Sequence, residues 1–398
     1  MTTDKILVIN AGSSSIKFQV YDEKEAVLAK GLCERIFVDG SFEIEANGKK
    51  LSKKVDFPDH EAAFKCILDH LLSLKIISNL NEIKGAGHRI VQGASYFKSS
   101  VFVDQKALNK IVEYSALAPL HNKAESDVIK VVMKLVPAAS NVAVFDTTFH
   151  ATMPAKNYKY AVPQEWETKY LVRRYGFHGT SYRYITDRME KHLKKSKVNL
   201  IVCHLGNGAS ICAIKDSQSY NTSMGFTPLE GLVMGSRSGD IDPSVVEYVM
   251  ACTKMSANDL VNKLNKASGL LGLTGSSDMR DVEANAKNNI VALEMYASRI
   301  ADYIVKYWNQ LKAKVDAIVF TAGVGENSKP SLLRISQELG GLKISLNEKA
   351  FDEKYSDLRL VSDKKSPIPV YQVRTNEELM ILRDVKTFGK LKNVKKSK

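Results

Sequence analysis

The apolar positions of this chain fall into short runs that end in turns rich in glycine and serine. Residues 5–9 are apolar after Lys5 and lead into Asn10-Ala11-Gly12-Ser13-Ser14-Ser15, after which residues 16–21 alternate apolar and polar side chains. Alternation with period two marks a half-buried strand. The pattern continues over 26–36 and 42–46, so the chain opens as a meander. From 59 to 75 the period changes, and Ala62, Phe64, Cys66, Ile67, Leu71, Leu72 and Leu74 recur at helical spacing. A strand is expected at 87–91, helices over 105–115 and 123–135, and a buried strand at 141–145. The first block thus reads β-β-β-α-β-α.

A second block begins at residue 199. Leu200-Ile201-Val202-Cys203 runs into His204-Leu205-Gly206-Asn207-Gly208-Ala209-Ser210, and 211–215 alternates again. Setting Gly12 against Gly206 aligns Ile9-Asn10 with Cys203-His204, although Ser15 and Ser210 match only after a one-residue shift. Helices are expected over 257–266, 279–286 and 290–314. A third strand-into-turn unit spans 317–327 and ends in Gly323-Val324-Gly325-Glu326-Asn327. The echo predicts an internal duplication, with a first domain over 1–149 and a second over 150–375. A last helix, within 376–398, is expected to pack back on the first domain, with its lysine-rich end disordered.

A strand that ends in a Gly/Ser turn offers several backbone N–H groups and hydroxyls on one concave surface, which suits phosphate oxygens. One such turn is also satisfied by a plain hairpin; three in one chain point to a phosphate site. Neither standard nucleotide signature is present. There is no G-x-x-x-x-G-K-[ST], and Gly206-Asn207-Gly208 lacks the third glycine of a dinucleotide fingerprint.

Composition narrows the class. At 398 residues the chain suits two domains of ordinary size, and 44% hydrophobic with 25% charged residues describes a folded globular protein. No apolar run approaches the roughly 18 residues of a membrane span, and Met1-Thr2-Thr3-Asp4-Lys5 lacks the order of a signal peptide. A cytoplasmic protein without a membrane partner is expected. Cys33, Cys66, Cys203, Cys212 and Cys252 are odd in number and scattered, so they are read as buried thiols. The net charge is +13, but five lysines lie in 390–398, and removing them leaves +8. That is ordinary surface solvation and implies no nucleic-acid partner.

Ordered segments along nearly the whole chain resemble the acetate kinase family, within the wider superfamily of acetate and sugar kinases, Hsp70 and actin. They are Asn10-Ala11-Gly12-Ser13-Ser14-Ser15-Ile16-Lys17, Gly87-His88-Arg89-Ile90-Val91, Ala118-Pro119-Leu120-His121-Asn122, Phe145-Asp146-Thr147 and Arg174-Tyr175-Gly176-Phe177-His178-Gly179-Thr180-Ser181. The match continues through 204–208, 222–243, Ser277-Asp278-Met279-Arg280-Asp281, 321–328 and Thr375-Asn376-Glu377-Glu378-Leu379.

The resemblance implies an α/β fold of two duplicated actin-like (ribonuclease H-like) domains, with mixed sheets flanked by helices and closing on a central cleft. It also implies a homodimer and a reversible, direct in-line phosphoryl transfer from ATP to acetate, giving ADP and acetyl phosphate, with Mg²⁺ (or Mn²⁺) as the metal. Such a transfer spreads charge over equatorial oxygens, so cations and donors should carry it. By resemblance Arg89 and Arg237 are carboxylate and phosphoryl clamps, and His178 donates to the equatorial oxygens. Asp146 is catalytic beside the metal, which Asn10 and Glu377 hold. His121 lies near the carboxylate. Val91, Leu120, Phe177 and Pro228 form a small apolar acyl pocket. Lys17, His204, Leu205, Gly206, Asn207 and Gly208 meet the nucleotide phosphates. Asp278, Met279 and Arg280, with the loop of Gly323, Val324, Gly325, Glu326 and Asn327, meet the adenosine.

Two departures stand out. The family usually carries His-Gly-Gly where this chain has Gln92-Gly93-Ala94, and Asp where it has Asn221. Propionate or butyrate kinase chemistry on the same scaffold stays open, since one methylene in an apolar pocket is worth only roughly 1–3 kcal/mol. So does an actin- or Hsp70-like ATPase, because fold alone does not fix function.

Overall fold

The computed structural model describes residues 4–118 and 121–391. Leu120, expected in the acyl pocket, lies outside the described residues, as does most of the lysine-rich end. The chain divides into two compact units, Met1–Thr148 with Asn376–Lys398, and Phe149–Thr375.

The first unit is built on eight strands: β1 (Lys5–Gly12), β2 (Ser15–Tyr21), β3 (Val27–Glu34), β4 (Ser41–Ala46), β5 (Lys49–Lys54), β6 (Ile83–Ile90), β7 (Val101–Phe102) and β8 (Ser140–Phe145). Their order is β5-β4-β3-β2-β1-β6-β8-β7. The first five form an antiparallel meander, whereas β1, β6 and β8 run parallel. Burial follows position in the sheet. Ile6, Leu7, Val8 and Ile9 of central β1 are buried on both faces, while all six residues of lysine-rich β5 are exposed. Lysines along an edge strand discourage pairing with another chain.

Helices cover both faces of this sheet. On one, Phe64, Ile67, Leu68 and Leu71 of helix His60–Ser73 and Val128 and Val132 of helix Asn122–Leu135 pack with Leu7, Ile9, Ile16 and Phe18. On the other, Ile381, Leu382 and Val385 of helix Glu377–Phe388 pack with Ile6, Val8, Val142 and Val144. Two glycines make this second seat close. A Cβ at Gly85 would lie 2.4 Å from Val385 Cγ1, and one at Gly87 would lie 2.5 Å from Ile381 Cγ2. Spaced two apart, both face the same side of β6.

The second unit contains β9 (Leu200–Leu205), β10 (Ala209–Lys215), β11 (Gln218–Thr222), β12 (Ala317–Thr321), β13 (Leu358–Leu360) and β14 (Val370–Val373), ordered β11-β10-β9-β12-β14-β13. This repeats the first sheet strand for strand from β3 to β7. In each there is a hairpin, a further antiparallel neighbour, two parallel additions and a short antiparallel edge. Tyr182, Ile185 and Met189 of helix Gly179–Leu193 pack on Leu200, Val202 and Val319, and helix Ile290–Gln310 packs against β9 and β10. Both units therefore have the mixed α/β architecture expected of the fold class.

Several local expectations change. The segment 323–327 is not a turn but part of helix Ala322–Asn327, whose first N–H donates to its own Glu326 Oε1 at 2.9 Å. Helix 290–314 ends at Gln310. Only Cys33, Cys203 and Cys212 are buried; Cys66 is half-buried and Cys252 exposed. Helices Gly179–Leu193 and Ser244–Thr253 lie where the apolar pattern marks none. Among the described residues no helix is long and apolar enough to cross a membrane.

Filling the glycine seat should unseat the last helix. Gly87→Val is expected to cost about 1–3 kcal/mol, the usual penalty for overpacking, read as a lower urea midpoint. An unchanged midpoint would mean that helix Glu377–Phe388 does not bear on β6 as described.

Candidate functional site

In the first unit the candidate residues stand at the C-terminal ends of three adjacent parallel strands, where open α/β sheets bind ligands. Asn10 lies near the end of β1, Arg89 near the end of β6, and Asp146 directly after β8. The Asp146 N–H donates to Ile90 O at 2.9 Å, which fixes the carboxylate beside Arg89. The guanidinium then grips it as a fork, Nε to Oδ1 at 3.1 Å and Nη2 to Oδ2 at 2.6 Å, while Nη1 donates to Asn10 Oδ1 at 3.3 Å. Asp146 is 1% exposed. Burial alone would lower the pKa of Arg89, but Asp146 and Glu377 outweigh it and hold the group charged.

Glu377 opens helix Glu377–Phe388, capped by Asn376, whose Oδ1 accepts from Leu379 N at 3.0 Å. Burial pushes its carboxyl up to about 7; Arg89 pulls the other way, and Asp146 and Glu378 add to the rise. No hydrogen bond or ion pair within the described residues holds Glu377. A carboxyl at the end of a helix with a raised pKa and no direct partner is a group short of a cation. Asn10, Asp146 and Glu377 offer only oxygen donors, the kind Mg²⁺ prefers. No cluster of three or more His, Cys, Asp or Glu suited to a metal occurs among the described residues, so water would have to complete any coordination here. Lys17 donates to Glu378 Oε1 at 2.5 Å.

The segment after β6 is tied down from helix Asn122–Leu135. Glu125 Oε2 accepts from Val91 N at 3.0 Å, Asn122 Oδ1 accepts from Gln92 N at 3.0 Å, and Asn122 Nδ2 donates to Gln92 O at 2.8 Å. Gln92 is fully buried, and its Oε1 accepts from Ala94 N at 2.9 Å; Ala94 has φ +51°. The turn is thus closed by the Gln92 amide itself, leaving Gln92 Nε2 without a partner. Burial pushes the Glu125 carboxyl up to about 8, opposed by the Val91 N–H and by Arg89 and reinforced by Asp146. His121 immediately precedes this helix and makes no side-chain capping bond. His88, inside the same matched segment as Arg89, is structural: it is buried, donates to Asn141 Oδ1 at 2.8 Å, and burial lowers its pKa to about 4.

In the second unit a pair of stacked imidazoles stands beside the glycine turn. The His178 and His204 rings are 4.1 Å apart and nearly parallel, and each Nδ1 meets a serine at 2.8 Å, Ser210 and Ser181 respectively. A Cβ at Gly208 would come 3.3 Å from Arg237 Nη1 and 3.7 Å from His178 Nε2. Glycine there is what lets a guanidinium, an imidazole and the backbone share one small space. Arg237 Nη1 donates to Pro228 O at 3.1 Å. A Cβ at Gly235 would overlap Asn207 Oδ1, so the segment carrying Arg237 lies directly on the glycine turn. Arg174 anchors its start, donating from Nη1 to the carbonyls of Thr222, Ser223 and Met224 and from Nη2 to Glu230. Phe177 is buried, and its carbonyl accepts from His150 Nε2 at 2.9 Å; burial lowers the His150 pKa to about 4, which keeps the ring neutral.

A cavity of ≈ 550 Å³ lies next to this turn, lined by Gly206, Asn207, Asp278, Met279, Arg280, Gly323, Val324 and Asn327 of the expected set, together with Ser277, Glu283 and Ser328. His204, Leu205, Gly208, Gly325 and Glu326 do not line it. Glu326 instead ties its own helix to Thr375, accepting from Thr375 N at 3.0 Å. Arg280 grips Asp278, with Nη2 donating to Oδ2 at 2.5 Å, and this pair lowers the Asp278 carboxyl to about 2. Of the acyl-pocket candidates, Val91 belongs to the first unit and Phe177 and Pro228 to the second. Asn221 is buried, and its Nδ2 donates to Gln310 Oε1 at 2.9 Å; an amide suits that place better than an unpaired carboxylate. Glu125, His150 and Glu283 carry no sequence signal of their own, because their partners are backbone or hydroxyl groups from distant segments.

A sequence profile described as the Acetokinase family matches residues 5–383. The acetate kinase of Mycoplasma pneumoniae is 59% identical over 384 residues, covering 96% of this chain and 98% of that protein. Among solved structures, Porphyromonas gingivalis acetate kinase superposes with a TM-score of 0.90 at 38% identity, covering 97% of this chain and 99% of its own. A propionate kinase from Francisella tularensis subsp. tularensis gives the same TM-score and identity over 95% and 98%.

The raised pKa of Glu125 has a definite sign. The folded state keeps this proton up to about pH 8, while the unfolded chain loses it near 4.5. Stability from this group is therefore present at low pH and lost as pH rises between those values. Glu125→Gln has no such proton, so wild type should lose ground to it between about pH 5 and pH 8 in urea titrations. Parallel curves would rule this out.

Proposed function

The chain belongs to the acetokinase family, and on that footing we propose that it is an acetate kinase, transferring the γ-phosphoryl group of ATP reversibly to the carboxylate of acetate. The observation that carries this reading is the Arg89 fork on Asp146 at the strand ends of the first unit, together with Arg237 and His178 at the glycine turn of the second. A filament or chaperone ATPase has no use for the arginine–carboxylate fork of the first unit or for the arginine and imidazole at the glycine turn of the second.

Phosphoryl transfer needs little covalent help from the protein; it needs positioning and charge. Arg89, held flat by Asp146, presents a preorganised cation to the acetate carboxylate, with Val91 behind it limiting chain length. Arg237 neutralises charge growing on the equatorial oxygens, and His178 donates a hydrogen bond to one of them. The cavity along Asn207, Asp278 and Gly323 takes the nucleoside of ATP, and Gly206 and Gly208 let phosphates approach the backbone. Asn10 and Glu377, with water and beside Asp146, would hold Mg²⁺, which would supply positive charge to the phosphate groups. His204 orients the turn, and Lys17, held by Glu378, is the remaining phosphate-side cation. A propionate kinase of the same fold keeps the longer acyl chain in play.

We also propose a cytoplasmic homodimer. All five cysteines are unpaired, as in a reducing compartment. Helix Ser244–Thr253, of sequence SVVEYVMACT, buries none of its ten residues, and Tyr248 is 71% exposed. An apolar helix left uncovered suits a second copy of the chain.

Purified protein given ATP, Mg²⁺ and acetate should form acetyl phosphate that hydroxylamine traps, with kcat/KM falling from acetate to propionate to butyrate; no trapped product, or a butyrate preference, defeats the assignment. Arg237→Ala should lower kcat by about 10²–10³-fold, as when a transition-state donor is removed, whereas a change in KM alone contradicts its role. Tyr248→Asp should shift the protein from dimer to monomer by light scattering, and a dimer that persists unchanged removes this helix from the interface.

A further inference from the structure

His178 can donate to a phosphoryl oxygen only if its Nε2 carries the ring proton, and a neutral imidazole has one proton for two nitrogens. The groups behind the ring decide where that proton sits. Ser210 Oγ lies 2.8 Å from His178 Nδ1, and Tyr182 OH lies 2.5 Å from the same Ser210 Oγ. Tyr182 and Ser210 are both fully buried. The serine hydroxyl has these two partners alone among the described residues.

Hydrogen-bond arithmetic then gives the chain a direction. Either hydroxyl of this pair can be the donor; a phenol is the more acidic of the two, and the chain takes a single direction with Tyr182 donating to Ser210 Oγ. The serine must place its own hydrogen somewhere, and His178 Nδ1 is the acceptor that remains. Were Nδ1 to carry the proton instead, Ser210 would accept twice and its own hydrogen would be stranded in a buried site, at the cost of an unmade bond. We propose that Tyr182 and Ser210 are positioning residues that fix His178 as the Nε2–H tautomer, so that it meets the nucleotide as a ready donor and not as an acceptor. The proposal rests on the reading of His178 as the phosphoryl donor and adds to it the reason that the donor faces the right way.

The backbone supports this division of labour. His178 sits at φ +58°, in the left-handed region, at the head of the helix that carries Tyr182, whose N–H donates to His178 O at 3.0 Å. Ser210 comes from β10, just after the glycine turn. The ring is thus held by the helix it starts and by the strand that follows the phosphate turn, and Gly208 keeps the space before Nε2 open.

The test reads the tautomer directly. In ¹⁵N-labelled full-length protein at about pH 8, with the His178 signals assigned by their loss in His178→Gln, wild type should show the Nε2–H pattern of ring shifts. Ser210→Ala should give a mixture or the Nδ1–H form and lower kcat about tenfold or more, with KM for ATP within about twofold. Ser210→Thr, which keeps the hydroxyl, should restore both, and Tyr182→Phe should fall between. A wild-type ring protonated on Nδ1 overturns the proposal with no variant needed, which covers the case in which Ser210→Ala fails to fold. An Nε2–H ring that persists in Ser210→Ala with unchanged kcat overturns it as well. If the tautomer follows Ser210 while His178→Gln keeps full activity, the reading of His178 as donor fails and the hydrogen-bond chain stands.

Discussion

The fork between Arg89 and Asp146 is the contact around which the strand ends of the first unit are arranged. It forms only because β6 and β8 run parallel and in register, Ile90 beside Phe145, so that two strand ends deliver opposite charges to one place. The aspartate is almost wholly out of water, and removing one partner of such a pair costs on the order of 3–5 kcal/mol because the other charge is stranded. A guanidinium held this way is a fixed instrument. Asn10 accepts from it on β1, its charge acts on the Glu377 carboxyl of the last helix, and Glu125 secures the segment that follows it.

The duplication explains how one scaffold carries two kinds of chemistry. Six strands follow the same order in both sheets, and in both the candidate residues gather at the C-terminal ends of the parallel ones. The first sheet places carboxylates and an arginine there, which suits a small anion and a metal. The second places a glycine turn, two imidazoles and a nucleoside-sized cavity there. The shared frame sets where ligands go, and the turn residues decide which ligands.

Much of that frame could be read from the chain. The hairpins β1–β2 and β9–β10 announce themselves by alternation next to Gly/Ser turns, and strands buried on both faces by uninterrupted apolar runs. Reading failed where a local signal was overruled. Two glycines made 323–327 look like a turn, yet Glu326 reaches back to the Ala322 N–H and winds it into a helix. Helix Gly179–Leu193 mixes tyrosine, arginine and threonine along its length, and only its seat on Leu200, Val202 and Val319 shows which side is apolar. At the site, residue types with an evident charge were legible through the ordered motifs. Glu125, His150 and Ser210 were not, because each works on a group that no pattern encodes: the Val91 N–H, the Phe177 carbonyl and one nitrogen of His178. Gln92 was visible as a departure from the resemblance, but its consequence, a turn closed by the residue's own amide, required the fold.

The seat cut by Gly85 and Gly87 has a consequence for biosynthesis. The helix that fills it leaves the ribosome more than two hundred residues after the sheet it covers. Until then Ile6, Val8, Val142 and Val144 lack the side chains that pack on them, and Glu377 has not arrived beside Arg89. The nascent first unit therefore waits, with one apolar face uncovered, through synthesis of the whole second unit. Closure of that apolar face and the arrival of Glu377 beside Arg89 are therefore one event, and a chain cut before helix Glu377–Phe388 lacks both.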